Sequence, residues 1–122
     1  MPERPEEVAR LEALLGAILV AHEAVYDLHR RLVAAGITGR SQELLEESAQ
    51  VALELVPQLA EDARRLFARW SEESVLDPER AESTAGLLAA EVHRIEPELR
   101  ALLARQVQIA LELRGELERG SD

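Results

Sequence analysis

The chain has 122 residues, enough for one domain and too few for two domains with independent cores. Alanine, leucine, glutamate and arginine supply well over half of them, an alphabet typical of long amphipathic helices. The net charge of −10 argues against binding to nucleic acid or to anionic membranes, because phosphate-binding surfaces need a basic excess. Cysteine is absent, which excludes disulfides and thiolate metal sites. The composition therefore predicts an all-α protein with a single helical-bundle domain over residues 1–122.

Two further features of the composition concern location and origin. The acidic start of the chain is unlike a signal peptide, and the longest apolar run, Ala13 to Ala21, is too short to span a membrane. We therefore expect a soluble, cytoplasmic protein. Lysine and asparagine are absent while arginine is abundant, which fits either a GC-rich genome or a de novo designed sequence.

The first predicted helix covers residues 5–35. Pro5 suits the first helical position, and the two glutamates that follow complement the positive end of the helix dipole. Apolar residues recur at heptad positions along it: Val8, Leu11, Leu15, Ile18, Val25 and Leu32. Gly36 predicts a left-handed residue after the helix, with Ile37 as the hydrophobic contact of a Schellman cap.

The second and third predicted helices cover residues 41–73 and 78–119. Ser41 is the predicted N-cap of the second helix. The third helix has the clearest start in the chain, because Asp77 suits the N-cap position and Pro78 the first helical position. Short connections between three such helices predict an up-down-up bundle of antiparallel neighbours.

Prolines interrupt two of the predicted helices. Pro57 lies inside the second and Pro97 inside the third, and each removes one backbone hydrogen bond, so we expect a kink at each position. The apolar period continues across both prolines. A complete break of the third helix at Glu96 would instead give a bundle of four helices.

The third helix is the longest, and its length suggests self-association. If it begins beside the start of the first helix, residues beyond about 108 overrun the other two. The apolar residues Ile109, Leu113 and Leu117 would then be exposed, and we expect them to form a contact between copies of the chain in a homo-oligomer. A frayed or folded-back tail, helped by Gly115, is the alternative.

Histidines occupy two buried heptad positions of the first helix, His22 and His29. A buried imidazole needs hydrogen-bond partners. The same helix register places His29 level with Ser48 and within a turn of Gln106, which predicts a closed polar trio inside the bundle. Ser48 as a nucleophile with His29 as its base is the alternative, but the sequence offers no carboxylate to orient the base.

Glycines near the level of His22 allow a second interpretation. Gly16 and Gly86 each lie inside a helix, where glycine costs about 1 kcal/mol relative to alanine. Close approach of the helices would explain them, and so would room for a flat cofactor. In the second case we expect a haem or porphyrin with His22 as axial ligand and His93 as the second candidate.

The sequence offers no convincing catalytic site. It lacks the Glu-x-x-His motifs of a dinuclear metal bundle, and its acidic clusters lie off the apolar stripes. We therefore expect a non-catalytic helical scaffold or protein-interaction module, natural or designed, that self-associates. The alternative is the haem-binding bundle, and a weaker one is an acidic adaptor or decoy for a basic partner.

Overall fold

The computed structural model describes residues 4–37 and 39–120, and all the regular secondary structure in these ranges is helical. Three long helical arms follow one another along the chain. Their elements are α1 (Glu6–Ala34), α2 (Ser41–Gln50), a π-helix (Val51–Leu55), α3 (Val56–Leu59), α4 (Glu61–Leu76) and α5 (Pro78–Gly120). The elements from α2 to α4 form the middle arm, residues 41–76. The predicted all-α, up-down-up bundle is confirmed.

A Schellman cap ends α1, as predicted. Gly36 has a φ of 72°, in the left-handed region that glycine adopts without steric cost. Its N–H donates to the carbonyl of Val33, and the N–H of Ile37 donates to the carbonyl of Leu32, each at 3.0 Å. The side chain of Ile37 packs against buried residues of the neighbouring core. The first connection is therefore fixed by local backbone chemistry.

The second connection is tighter than predicted. The middle arm continues to Leu76, three residues beyond the expected end, and α5 begins at Pro78. Asp77 alone separates them, and its Oδ1 accepts a hydrogen bond of 3.3 Å from the N–H of Arg80, as the predicted N-cap requires. The prediction of an N-cap at Ser41 is wrong, because Ser41 is the first residue of α2 and makes no cap hydrogen bond.

Pro57 and Pro97 affect their helices differently. The middle arm forms its π-helix just before Pro57 and is interrupted again at Ala60. Because proline lacks an N–H and its ring collides with the carbonyl four residues earlier, the wider π turn accommodates it. Helix α5 instead continues through Pro97, which is exposed. The alternative of four helices with a break at Glu96 is therefore wrong.

Ion pairs between α1 and α5 fix how these two parallel helices are aligned. Arg10 Nε lies 3.1 Å from Glu96 Oε1, and His93 Nε2 lies 3.7 Å from Glu7 Oε1. The start of α1 is therefore level with His93, far along α5 from Pro78. The end of α4 and the start of α5 extend beyond α1 as a two-helix hairpin, which contradicts the predicted alignment.

This alignment also reverses the prediction for the end of α5. Ile109 and Leu113 are fully buried, and Leu117 is partly buried against the same cluster. They pack against buried residues of α1 and α2, namely Val25, Leu32 and Leu44. The expected overhang at the C-terminal end of the third helix is wrong, because the overhang lies at the opposite end of the bundle.

Candidate functional site

A polar layer divides the core of the bundle. Nδ1 of His22 lies 2.8 Å from the hydroxyl oxygen of Ser48, and Gln106 Nε2 donates to the carbonyl of Ser48 at 3.1 Å. Ser48 and Gln106 are fully buried, and His22 is half-buried. One apolar cluster, which includes Ile18, lies on one side of this layer, and the cluster around Val25 lies on the other.

The polar layer is the predicted trio with one member exchanged. His22 takes the place that the sequence assigned to His29, because the middle arm is shifted along α1 relative to the predicted alignment. His29 instead has its Nδ1 3.1 Å from the hydroxyl of Ser41. Each buried serine hydroxyl of α2 therefore has an imidazole partner, and the two pairs lie seven residues apart along each helix.

The layer holds an unsatisfied acceptor. Oε1 of Gln106 has no hydrogen-bond partner among the described residues, although the side chain is fully buried. Such an atom costs about 1–3 kcal/mol. The arrangement offers no catalytic chemistry, since the described residues place no carboxylate against His22 and Ser48 is inaccessible to a substrate.

The structure does not bring His22 and His93 together. His93 is exposed and level with Glu7 on α1, which lies fifteen residues before His22. At 1.5 Å per residue the two histidines are separated by about 22 Å along the bundle. A single haem iron cannot bind both, so the residues do not fit a porphyrin held between them.

Gly16 and Gly86 do not lie where either interpretation needs them. A Cβ atom built on either glycine meets no heavy atom within 4 Å, and both residues are exposed. Close approach of the helices therefore does not explain them. Nor do they leave room beneath an imidazole, because Gly16 lies on a different face of α1 from His22.

Apolar side chains are instead exposed along the seam between α1 and α5. Val20 is 65% exposed, Val107 44% and Leu111 58%. Counting heptads from the Arg10–Glu96 pair places further apolar residues on the same edge. We call this surface the uncharged face, with members Ala13, Ala17, Val20, Ala24, Leu103, Val107 and Leu111.

The sequence contains a signal for the uncharged face that pattern analysis missed. Residues 13–22 of α1 and 106–111 of α5 carry no Asp, Glu, Lys or Arg. A helix that lacks charge for more than two turns exposes apolar side chains whichever stripe is buried. The alignment of α1 with α5 then places these two segments side by side, which sequence periodicity does not reveal.

Ion pairs join the helices around the core. Two guanidinium nitrogens of Arg105 on α5 bind the carboxylate of Glu47 on α2, one of them at 2.9 Å. The hydrogen bond from Arg105 holds the pKa of Glu47 below its ordinary value. Likewise, the guanidinium of Arg10 lowers the pKa of Glu96 between α1 and α5. These pairs reinforce the alignment that the polar layer sets.

Comparison with protein-family models, with curated proteins and with solved structures gives no match for this chain. Within residues 4–37 and 39–120, no group of three or more histidine and acidic side chains is placed to hold a metal ion. No helix in the same ranges has both the length and the apolar character needed to cross a membrane. The surface and the core of the bundle therefore carry the functional argument.

Proposed function

We propose that this chain is a non-catalytic helical-bundle scaffold or interaction module that self-associates through the uncharged face. The observation that carries the proposal is the exposure of Val20, Val107 and Leu111 side by side on α1 and α5. Contiguous exposed apolar side chains of this kind mark association surfaces on otherwise well-charged proteins. The face replaces the buried residues Ile109, Leu113 and Leu117 as the contact between copies.

The charges at the two ends of the face favour a second copy of the chain as the partner. Arg100 and Glu118 lie on the α1 side of α5, each nine residues from position 109. In an antiparallel pairing centred on that position, Arg100 of one copy is level with Glu118 of the other, and the reverse also holds. A two-fold dimer interface has this self-complementary character.

Small side chains on α1 favour close approach. Ala17 and Ala24 follow Arg10 at heptad spacing, so they border α5 and leave a shallow surface between the two helices. The seam of α1 and α5 from each copy would then pack as a layer of four helices, with Val20 and Leu111 at its centre.

The test is the mass of the protein in solution, measured by light scattering or sedimentation equilibrium. The chain has a mass of 13.6 kDa, and we expect twice that value for the parent protein. The double variant Val20→Glu with Leu111→Glu should give the monomer mass, because four carboxylates would meet across the interface. A matched control, Val33→Glu with Leu87→Glu, changes two exposed apolar residues elsewhere and should leave the dimer intact. A parent protein that is monomeric at all concentrations contradicts the proposal.

A charge exchange tests the antiparallel orientation separately. Arg100→Glu should weaken the dimer by placing like charges level with each other, and adding Glu118→Arg should restore it. A dimer that persists unchanged in both variants would reject this orientation while leaving self-association itself supported.

A further inference from the structure

A cleft between α1 and α4 has no role in the dimer or in the polar layer. Its volume is about 240 Å³, and its walls are apolar side chains of α1, α4 and α5, among them Leu11, Leu15, Phe67 and Leu88. The cleft forms because the interruption at Ala60 directs α4 along α5 rather than along α1. Its floor is the buried core, since Leu88 is fully buried.

The mouth of the cleft carries an arginine that the protein leaves without a carboxylate partner. Arg64 lines the mouth and pairs with no acidic side chain among residues 4–37 and 39–120. Most other arginines in these ranges form ion pairs, even though acidic residues outnumber basic ones in the chain. Its neighbour Arg65, for example, is paired with Asp62.

The other charges at the mouth do not cancel Arg64. Glu12 also lines the cleft, but its Oε1 lies 3.1 Å from Nη1 of Arg4, so its charge is already balanced. The three groups together leave one positive charge over an apolar cavity. A ligand that matches this arrangement has an anionic head and an apolar body.

We infer that the α1–α4 cleft binds a fatty carboxylate of medium chain length, with its head group on Arg64 and its acyl chain against Phe67 and Leu88. The volume is below the range of about 300–1,000 Å³ typical of drug-sized ligands, so a single acyl chain suits it better than a ring system. A guanidinium binds a carboxylate with two parallel hydrogen bonds, which favours a carboxylate over a hydroxyl head group.

The chain contains its own reporter for this ligand. Its one tryptophan, Trp70, stacks on Phe67 with ring centroids 5.8 Å apart, and Phe67 lines the cleft. An acyl chain against Phe67 should change the emission of Trp70. The binding measurement is therefore a titration of tryptophan fluorescence with sodium decanoate below its micelle-forming concentration, beside parallel titrations with decanol and with decyltrimethylammonium.

We expect saturable binding of decanoate that is about fivefold tighter than that of decanol, the size of effect that one exposed charge-assisted contact provides. Decyltrimethylammonium should bind more weakly still. Arg64→Gln should remove the preference for decanoate and leave decanol binding unchanged. Because Arg64 is exposed, this variant should retain the fold, which circular dichroism checks.

Arg30→Gln is the matched control, since it removes another exposed arginine with no carboxylate partner among the described residues, at a site far from the cleft. It should leave decanoate binding unchanged. The inference is overturned if decanoate gives no saturable change, if decanol binds equally well, or if the two arginine variants behave alike. Because the cleft and the uncharged face lie on different helix pairs, either proposal can fail without the other.

Discussion

The imidazole of His22 on α1 and the hydroxyl of Ser48 on α2 share a hydrogen bond of 2.8 Å. The pair lies where the two apolar clusters of the core meet, and Gln106 of α5 completes the layer by donating to the Ser48 carbonyl. A shift of either neighbouring helix by one turn would leave these buried polar groups without partners. The layer therefore helps to select one alignment of three helices whose apolar stripes are otherwise nearly repetitive.

A double-mutant cycle tests this role. His22→Leu should destabilise the protein by about 1 kcal/mol, because it leaves the buried Ser48 hydroxyl without its imidazole partner. Adding Ser48→Ala should recover most of this loss, since both polar groups are then absent. Unfolding in urea measures the free energies. Strictly additive costs would show that the hydrogen bond contributes nothing to stability.

Two glycines should respond to alanine in opposite directions. Gly36→Ala should destabilise the protein by about 1 kcal/mol, because Gly36 has a φ of 72° in the cap of α1. Gly86→Ala should stabilise it by up to about 1 kcal/mol, because this glycine lies inside α5 with open space around the new methyl group. Thermal melts of the two variants beside the parent protein decide the matter, and a change of the same sign in both would contradict the assignment.

Burial of the C-terminal half of α5 makes its leucines sensitive to truncation. Leu113→Ala should cost about 2–5 kcal/mol, because it creates a cavity in the cluster formed with Leu32 and Leu44. Leu87→Ala on the same helix is the control and should cost little, since Leu87 is exposed. Equal effects in chemical denaturation would indicate that Leu113 lies on the surface, as the sequence alone suggested.

The Glu47–Arg105 ion pair predicts a pH dependence of stability. The pKa of Glu47 is lower in the folded state than its ordinary value, so the pair contributes stability above the unfolded-state pKa of about 4.3. That contribution is lost as the pH falls through the folded-state pKa. Arg105→Gln should therefore be less stable than the parent protein at neutral pH, and the difference should shrink toward about pH 2. Urea titrations at a series of pH values measure it, and a difference that stays constant would contradict the prediction.

Local features of the chain were predictable because they depend on neighbouring residues. The cap at Gly36, the start of α5 at Pro78 and the disturbance near Pro57 all follow from backbone chemistry within a few positions. The apolar stripes of all three arms were also visible. The partner of each polar residue was not, since His22 and His29 occupy equivalent heptad positions and either could have faced Ser48.

By itself the sequence determined the helical class, the three arms and the two short connections, because helix propensity, heptad period and capping residues act locally. Only the tertiary structure decided how far each arm is shifted along the next. Moving a heptad pattern by one or two repeats changes the buried apolar area little, so specific contacts such as Arg10–Glu96 and His22–Ser48 must select the alignment. That alignment buries Leu113, separates His22 from His93, and places Val20 beside Val107 on an exposed face.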